Sequence, residues 1–202
     1  MPGLRSAERK TFILDVAHQL FAQKGYEATT IEDILALTGI AKGTLYYHFR
    51  NKEAILNAII ARTTEDIVAR ATRVVHSDAL PVEKFLGVIH AAMVDEVDQA
   101  LVEDFHKSDN LIFHVRSLVY TVHQLAPILA EVIEEGVAAR VFDSEQPLED
   151  SEILLTSGFI LTDEGFFPGD FEQVQRRSLG VIHAAERLLG CAPGTLSAAV
   201  RT

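Results

Sequence analysis

Residues 29–52 read TTIEDILALTGIAKGTLYYHFRNK, and the fold is predicted mainly from this segment. Its opening offers a capping box in either of two registers, Thr29 with Glu32 or Thr30 with Asp33. Either register predicts that a helix begins directly afterwards, with apolar residues spaced along one helix face. The stretch is therefore expected to start as a short amphipathic helix.

A glycine turn follows this helix, which is predicted over residues 31–37. Gly39 supplies the left-handed backbone that a tight turn needs, and a second short helix is predicted over residues 42–49. Leu45 and Phe49 lie one turn apart and would anchor that second helix to a core. Two short helices joined in this way are typical of a helix-turn-helix, whose second helix enters the DNA major groove.

The second helix carries residue types suited to DNA: a lysine for charge, a glycine for close backbone approach, a threonine hydroxyl, and two tyrosines and a histidine that can donate to phosphate. Lys52 and the free N–H groups at the start of the next helix would add a second phosphate site. Taken one at a time, these side chains suit packing or a solvated surface equally well, but their succession in this frame favours DNA contact. The predicted contacts on the second helix are Lys42, Gly43, Thr44, Tyr46, Tyr47 and His48.

Helical periodicity continues on both sides of this stretch, with no strand pattern, repeat or low-complexity segment. Gly25 ends a first helix predicted over residues 6–24, and Asn51 caps a long fourth helix that reaches towards residue 76. Pro127 either kinks or divides a later helical region. The class is predicted to be all-α, with about nine helices. The later predicted helices cover residues 81–104, 110–141, 149–164 and 171–189.

The charges are distributed unevenly along the chain. Residues 1–52 carry a net charge of +2 and residues 53–202 carry −13, within a formal total of −11. An anion-binding head on an acidic body would show this asymmetry, and so would chance combined with selection for solubility. The asymmetry therefore supports DNA binding only together with the motif.

The composition is that of an ordinary globular protein, with 48% hydrophobic and 23% charged residues, which excludes disorder as the main state. The single cysteine, Cys191, leaves no disulfide within the chain and no paired-cysteine metal site. Residues 1–9 are polar where a signal peptide would be apolar, and the longest uncharged runs are too short to span a bilayer. We therefore expect a cytoplasmic protein with no membrane segment.

The sequence lacks enzymatic motifs. Glu103 and His106 form one Glu-x-x-His pair, whereas a di-iron helical bundle needs a second copy and two further glutamates. Gly39 and Gly43 lack the following lysine of a phosphate loop, and no Gly-x-Ser-x-Gly elbow occurs. The sequence therefore predicts a binding protein and not an enzyme.

A set of residues within about the first 56 positions matches a known pattern in both spacing and residue type. They are Phe21, Gly25-Tyr26, Thr29-Thr30, Ile34, Thr38-Gly39-Ile40, Lys42-Gly43-Thr44-Leu45-Tyr46-Tyr47-His48-Phe49, Lys52-Glu53 and Leu56. In this set the chain resembles the tetracycline-repressor family of bacterial transcription regulators. The resemblance implies an all-helical homodimer, with a DNA-binding head over residues 1–52 and a domain for ligand binding and dimerisation over residues 53–202. It also implies a repressor that binds a near-palindromic operator and releases it when an inducer binds.

The family's DNA-contacting positions carry over residue by residue. Thr30 matches the phosphate-contacting start of the first motif helix, Lys52 matches the lysine that opens the fourth helix, and the row named above matches the recognition helix. Three positions depart from the family pattern. Ala41 stands where a capping serine is common, and Leu35 and Thr38 stand where small alanines are common. These departures bear on the local geometry of the motif.

The predicted helices over residues 149–164 and 171–189 point to assembly. Apolar residues surround nearly the whole circumference of the first, which a surface helix of a monomer would not show, and the second has one apolar stripe. Doubled by a two-fold axis, such a pair forms a four-helix bundle. We predict a dimer interface over about residues 149–189, while burial of both helices within one subunit would give the same pattern.

Ligand-binding residues are predicted only broadly. Apolar and aromatic residues of the central helices could line a cavity for a small-molecule effector, although the same helical spacing is typical of a core. The candidate lining residues are Phe85, Ile89, Met93, Phe105, Phe113, Tyr120 and Phe159.

Two alternatives stay open. His106, Asn110 and His114 would share one face of an unbroken helix, which would suit a metal-responsive regulator, although Ser108-Asp109 offers a break within that helix. The other alternative is a helical adaptor that binds only protein and shows no salt-dependent binding to a duplex.

Overall fold

The computed structural model describes residues 6–92 and 111–199 and contains only helices as regular structure in that part. The all-α class is therefore confirmed, and the described residues form eight helices where about nine were predicted for the chain. The predicted helix over residues 81–104 is described only as far as residue 92. The helices are α1 Ser6–Lys24, α2 Ile31–Thr38, α3 Lys42–His48, α4 Lys52–Val75, α5 Pro81–Ala91, α6 Leu111–Ala138, α7 Pro147–Thr162 and α8 Phe171–Leu188.

The described residues divide into two compact units. The head unit comprises residues 6–63 and 111–114, and the body unit comprises residues 64–92 and 115–199. The division falls within α4 because the first turns of that helix contribute large apolar side chains, including Ile55 and Ile59, to the core of the head. The domain boundary at residue 52 that the family resemblance implies stays a prediction.

The core of the head unit joins α1, α2, α3 and the start of α4. Phe21 is fully buried and packs edge-on against the ring of Tyr26, with the ring centroids 5.2 Å apart. Arg62 of α4 donates to the Asp15 carboxylate of α1 at 2.6 Å and ties the two long helices together at the surface. The buried apolar residues of this core are Ile13, Leu14, Ala17, Leu20, Phe21, Ile34, Leu45, Phe49, Ile55, Leu56, Ile59 and Ile60.

The core of the body unit is built from the second half of α4 together with α5, α6, α7 and α8. Phe85 packs against Phe142, with the ring centroids 5.9 Å apart. The ammonium of Lys84, itself buried, binds the more exposed Glu135 carboxylate at 2.8 Å, so α5 and α6 are also joined by an ion pair at the edge of the core. No helix within residues 6–92 and 111–199 is long and apolar enough to cross a membrane.

Pro127 does not divide its helix, because α6 runs without interruption from Leu111 to Ala138. Proline lacks the N–H that would bond the carbonyl four residues earlier, and this loss is most tolerable where water replaces the missing donor. Both Pro127 and His123, one turn before it, lie on the exposed side of α6. The alternative of two separate helices is thereby settled in favour of one.

Candidate nucleic-acid interface

The start of α2 is fixed by the second of the two predicted capping registers. The Asp33 N–H donates to the Thr30 hydroxyl at 3.1 Å, and the Thr30 N–H donates to the Asp33 carboxylate at 2.8 Å. The hydroxyl of Thr30 also donates to that carboxylate, again at 2.8 Å. Lys24, at the end of α1, binds the same carboxylate oxygen, so the two helices meet at one charged capping site.

This capping site stabilises the ionised form of Asp33. The hydrogen bond from the Lys24 ammonium, followed by those from the Thr30 backbone and hydroxyl, lowers the pKa of Asp33 to about 2. A carboxylate at a helix N-terminus also interacts favourably with the helix dipole. Asp33 is therefore ionised at neutral pH and paired with the Lys24 ammonium, and the hydroxyl of Thr30, the predicted phosphate contact, already donates to Asp33.

The turn between α2 and α3 depends on Gly39. Its φ of 64° is in the left-handed region, and its N–H donates to the carbonyl of Leu35 at 2.9 Å. Thr38, which stands where the family commonly has alanine, is buried and donates its hydroxyl to the Ile34 carbonyl at 2.7 Å. The larger residue fits because its polar atom bonds back to its own helix.

The second motif helix, α3, is anchored through one face. Leu45 is fully buried and Phe49, just beyond the helix end, is nearly so, as the sequence predicts. Ala41 precedes the helix without a side-chain capping bond, which agrees with the loss of the serine that is common there. The buried anchor residues direct the other side of α3 to solvent.

The exposed side of α3 carries the predicted DNA contacts. Tyr47 keeps 79% of its surface exposed and Tyr46 keeps 45%. Gly43 is also exposed, and an added Cβ there would meet nothing within 4 Å. Thr44 and His48 are partly exposed. The structure therefore leaves all these residues wholly or partly accessible around the side of a short helix that is anchored through Leu45.

Lys42 lies at the start of this face. Its ammonium is 3.2 Å from the Glu32 carboxylate and 6.0 Å from the centre of the Tyr46 ring. Both charged side chains are largely exposed, and exposed pairs of this kind are worth only about 0–1 kcal/mol. Lys42 can therefore exchange Glu32 for a phosphate or a base edge at little cost.

Helix α1 adds two residues that the sequence analysis missed. Arg9 and Ser6 line a surface hollow together with Gly43, Thr44, Tyr47 and His48 of α3. Arg9 also lines a second hollow beside the turn, with Gly39 and Ala41 among its walls. The first turn of α1 thus borders the face predicted to contact DNA. No local sequence pattern predicts that Ser6 and Arg9 lie beside α3, because their position depends on how α1 packs against α3.

Lys52, a predicted phosphate contact, is surrounded by backbone acceptors in this structure. Its ammonium donates to the backbone carbonyls of Tyr26, Glu27 and Thr29 at 2.7, 3.3 and 3.0 Å. It also lies 4.2 Å from the centre of the Tyr26 ring. Asn51, as predicted, caps the same helix by accepting from the Ala54 N–H at 2.8 Å. Protein groups therefore already satisfy the charge at the start of α4.

The candidate ligand-lining residues are only partly brought together. Phe85 is buried in the core of the body unit, with Ile89 and Phe159 packed against that core, so these three serve as packing residues in this structure. Tyr120 keeps 41% of its surface exposed. Met93, Phe105 and the side chain of Phe113 lie outside the described residues.

The metal hypothesis falls largely outside the described part of the chain, because His106 and Asn110 do. His114 is described and its side chain is buried. Within the described residues, no group of three or more His, Cys, Asp or Glu side chains could hold a metal ion.

Comparison with known proteins decides the family. The family model for bacterial regulatory proteins of the tetR family matches residues 13–59, which include the whole helix-turn-helix. The model for a tetracyclin repressor-like C-terminal domain matches residues 93–181. The chain belongs to the tetracycline-repressor family. This confirms the resemblance seen in the sequence and, because the family consists of regulatory proteins, agrees with the prediction of a chain that is not an enzyme.

Individual relatives within this family are similar over parts of the chain. The HTH-type transcriptional repressor KstR2 of Rhodococcus jostii is 39% identical over 69 residues, which are 34% of each chain. The HTH-type transcriptional regulator UidR of Escherichia coli is 28% identical over 158 residues, covering 75% of this chain and 76% of UidR. The chain thus matches about a third of the length of KstR2 and about three quarters of UidR.

Solved structures of tetracycline-repressor-family members share the fold. SmeT, the repressor of the Stenotrophomonas maltophilia multidrug efflux pump SmeDEF, superposes with a TM-score of 0.67 at 19% identity and covers 92% of both chains. A regulatory protein of the tetR family from Rhodococcus RHA1 gives a TM-score of 0.61 at 23% identity, covering 92% of this chain and 98% of the other. At these identities the likeness establishes the fold.

Proposed function

We propose that this tetracycline-repressor-family chain is a ligand-responsive transcription repressor that binds a near-palindromic operator as a homodimer. The observation that carries the proposal is the exposed face of α3, where Lys42, Gly43, Thr44, Tyr46 and Tyr47 are accessible together. In this proposal, residues 1–52 carry DNA recognition and residues 53–202 carry ligand binding and dimerisation.

The face of α3 has the chemistry to read a major groove. The Lys42 ammonium can bind the acceptors of a guanine edge, and the Thr44 hydroxyl can bond to either kind of base edge. Gly43 allows the backbone to approach the bases, while Tyr46 and Tyr47 present hydroxyl donors and flat rings to sugar and phosphate. Arg9 extends the face towards the DNA backbone. Base contacts then supply specificity, and phosphate contacts supply orientation.

The surface of the α7–α8 pair supports dimerisation. Leu154 and Leu155 of α7 are buried within one chain, whereas Ile153 on the other side of that helix keeps 55% of its surface exposed. On α8, Phe171 is 80% exposed and Leu188 is 37% exposed. One chain therefore covers only part of the apolar circumference predicted for α7. Pairing with α7 and α8 of a second copy would bury the remainder as a four-helix bundle.

A symmetric dimer dictates the form of the operator. Two copies of α3 related by a two-fold axis would meet successive major grooves about 34–36 Å apart, or a multiple of that distance. The two half-sites must then be inverted repeats of each other. A near-palindromic operator follows from the symmetry of the protein.

Regulation in this proposal comes from a small molecule bound by residues of the C-terminal domain. An inducer that favours a conformation unsuited to the operator lowers the affinity for DNA, and DNA lowers the affinity for the inducer by the same factor. Repression is proposed because KstR2 and SmeT are both named as repressors. The proposed location is the cytoplasm, where the DNA is.

The test is selection of bound duplexes from a random DNA library with the purified full chain. The control is a pair of alanine variants, Tyr47→Ala on α3 and Leu80→Ala just before α5, since both side chains are substantially exposed. We expect the wild type and Leu80→Ala to enrich the same near-palindrome, and Tyr47→Ala to enrich it weakly. If the wild type enriches no sequence, the result would favour the alternative hypothesis of a helical adaptor that binds only protein.

A further inference from the structure

Lys52 is held in a cradle built from the loop between α1 and α2. A lysine ammonium has three N–H donors and no acceptor, and the three carbonyls of Tyr26, Glu27 and Thr29 receive it at 2.7–3.3 Å. The face of the Tyr26 ring lies 4.2 Å away, which adds a cation–π contact. The cradle therefore matches both the number of donors and the charge of the group that it holds.

The loop that forms this cradle leads directly into the first motif helix. Thr29 is 1% exposed, and its hydroxyl donates to the Gly25 carbonyl at 2.7 Å, so the loop is closed internally as well. The next residue, Thr30, is the N-cap of α2. A bond from α4 to the Thr29 carbonyl thus fixes the position at which α2 begins, across 23 residues of sequence.

We propose that Lys52 is a positioning residue that holds the start of α2 against the start of α4, and that it is not a phosphate ligand. The inference rests on the proposed DNA binding and assigns a role to one residue within it. Contact with a phosphate would require the ammonium to leave three carbonyls and an aromatic face. Those carbonyls would then lose a charged donor, which makes the exchange unfavourable in comparison with that at Lys42.

The first experiment measures how the affinity for the selected operator depends on salt. Each phosphate that a lysine neutralises contributes about 0.9 to the slope of log K against log salt. We expect Lys52→Ala to weaken binding at least about tenfold at every salt concentration with the slope unchanged, whereas Lys42→Ala lowers the slope by about 1. A slope lowered by about 1 in Lys52→Ala would overturn the inference.

A conservative variant gives a second criterion. Lys52→Arg keeps the charge but replaces a compact ammonium with a planar fork, which does not fit three converging carbonyls. The cradle therefore predicts that Lys52→Arg binds the operator about as weakly as Lys52→Ala. A phosphate ligand predicts recovery, because arginine binds phosphate at least as well as lysine does. Full recovery of affinity in Lys52→Arg would contradict the positioning role.

A measurement on the wild-type chain keeps the inference testable if these variants fail to fold. Reductive methylation, with mass spectrometry of each lysine, reports how accessible the ammonium groups are. We expect Lys52 to react slowly both without and with operator DNA, while Lys42, whose side chain is 62% exposed, reacts quickly without DNA and slowly with it. Fast methylation of Lys52 that DNA suppresses would overturn the inference. If the wild type binds no duplex specifically, the proposed function is wrong. In that case, slow methylation of Lys52 in the free chain would still show that its ammonium is held by the loop carbonyls.

Discussion

The ammonium of Lys24 lies 2.6 Å from the carboxylate of Asp33 and so joins the end of α1 to the capping box of α2. The same carboxylate oxygen receives the backbone N–H and the hydroxyl of Thr30. One ionised group therefore adds a link between the first motif helix and the helix before it. Protonation of Asp33 would remove the charge that Lys24 binds and weaken this link.

The first prediction concerns the pH dependence of Asp33. Its pKa is lowered from 3.8 to about 2 in the folded chain. Because the folded pKa is the lower one, the stabilisation is fully present above pH 3.8 and is lost as the pH falls through about 2. Titration of the Asp33 carboxyl by NMR should give a pKa of about 2 in the wild type and a higher value in Lys24→Met. If Asp33 has the same pKa in the two proteins, the contact with Lys24 is not the main cause of its lowered pKa.

The second prediction compares two glycines of the motif. An added Cβ meets nothing within 4 Å at either Gly39 or Gly43, but only Gly39 has a left-handed φ, at 64°. Gly39→Ala should therefore lower the free energy of unfolding by about 1–2 kcal/mol. Gly43→Ala should leave stability equal or raise it by up to about 1 kcal/mol, because alanine favours a helix.

For DNA affinity we expect the opposite ranking of the two variants: Gly43→Ala should be the more harmful and Gly39→Ala the less harmful. The methyl group of Gly43→Ala lies on the exposed face of α3 and would hold the backbone away from the groove. We expect a larger loss of operator affinity in folded Gly43→Ala than in folded Gly39→Ala, measured by fluorescence anisotropy below the unfolding temperature of both. Full operator affinity in Gly43→Ala would exclude close backbone approach at that position.

The third prediction tests the extension of the interface onto α1. Arg9 lines a hollow with Tyr47 and His48 beside the face of α3. Arg9→Ala should weaken binding to operator and to unrelated duplexes alike and lower the salt slope by about 1, as expected for a phosphate contact. Arg73→Ala serves as the control, because it also removes one positive charge but from an exposed position in the body unit. Equal slopes for the two variants would place Arg9 outside the interface.

The fourth prediction concerns a buried carboxylate in the body unit. Glu186, which is 4% exposed, accepts the backbone N–H groups of Gly194, Leu196 and Ser197 at 2.9–3.0 Å. These bonds lower the pKa of Glu186, so its contribution to stability is present above the usual glutamate range and is lost as the pH falls through the lowered value.

Two variants of Glu186 distinguish the contribution of its acceptor oxygen to stability from that of its negative charge. Glu186→Ala leaves buried N–H groups unpaired and should lower the free energy of unfolding by about 1–3 kcal/mol or more. Glu186→Gln keeps an oxygen at the same position and should cost less. Urea unfolding checks the energies, and hydrogen exchange at Gly194, Leu196 and Ser197 checks the location. Unchanged exchange at these amides in Glu186→Ala would contradict the assignment.

Much of the fold was predictable from local patterns. The ends of α1, α2 and α3 agree with the sequence prediction to within about one residue, because capping residues and a left-handed glycine determine helix ends locally. The capping box left two registers open, and the Thr30–Asp33 register was selected in the folded chain, where Lys24 also binds Asp33. The anchors Leu45 and Phe49 were predictable because their spacing matches one helix face.

The partners of charged residues were not predictable in this way. Lys52 bonds to carbonyls 23–26 residues away, and Arg9 lies beside α3 through packing between helices. The local sequence around a lysine at the start of a helix is the same whether its ammonium binds a phosphate or the carbonyls of a loop. The spacing of Phe85 and Ile89 is likewise the same for a core and for a cavity, and the structure places both in a core.

The most direct test of the central claim is the ratio of two affinities at physiological salt: that for the selected near-palindrome and that for a duplex of the same composition in scrambled order. Specific regulators prefer their site by factors of about 10³–10⁷. We predict a ratio of at least about 10³ for the wild type and a much smaller ratio for Tyr47→Ala. A wild-type ratio near one would contradict the claim that the exposed face of α3 reads DNA sequence.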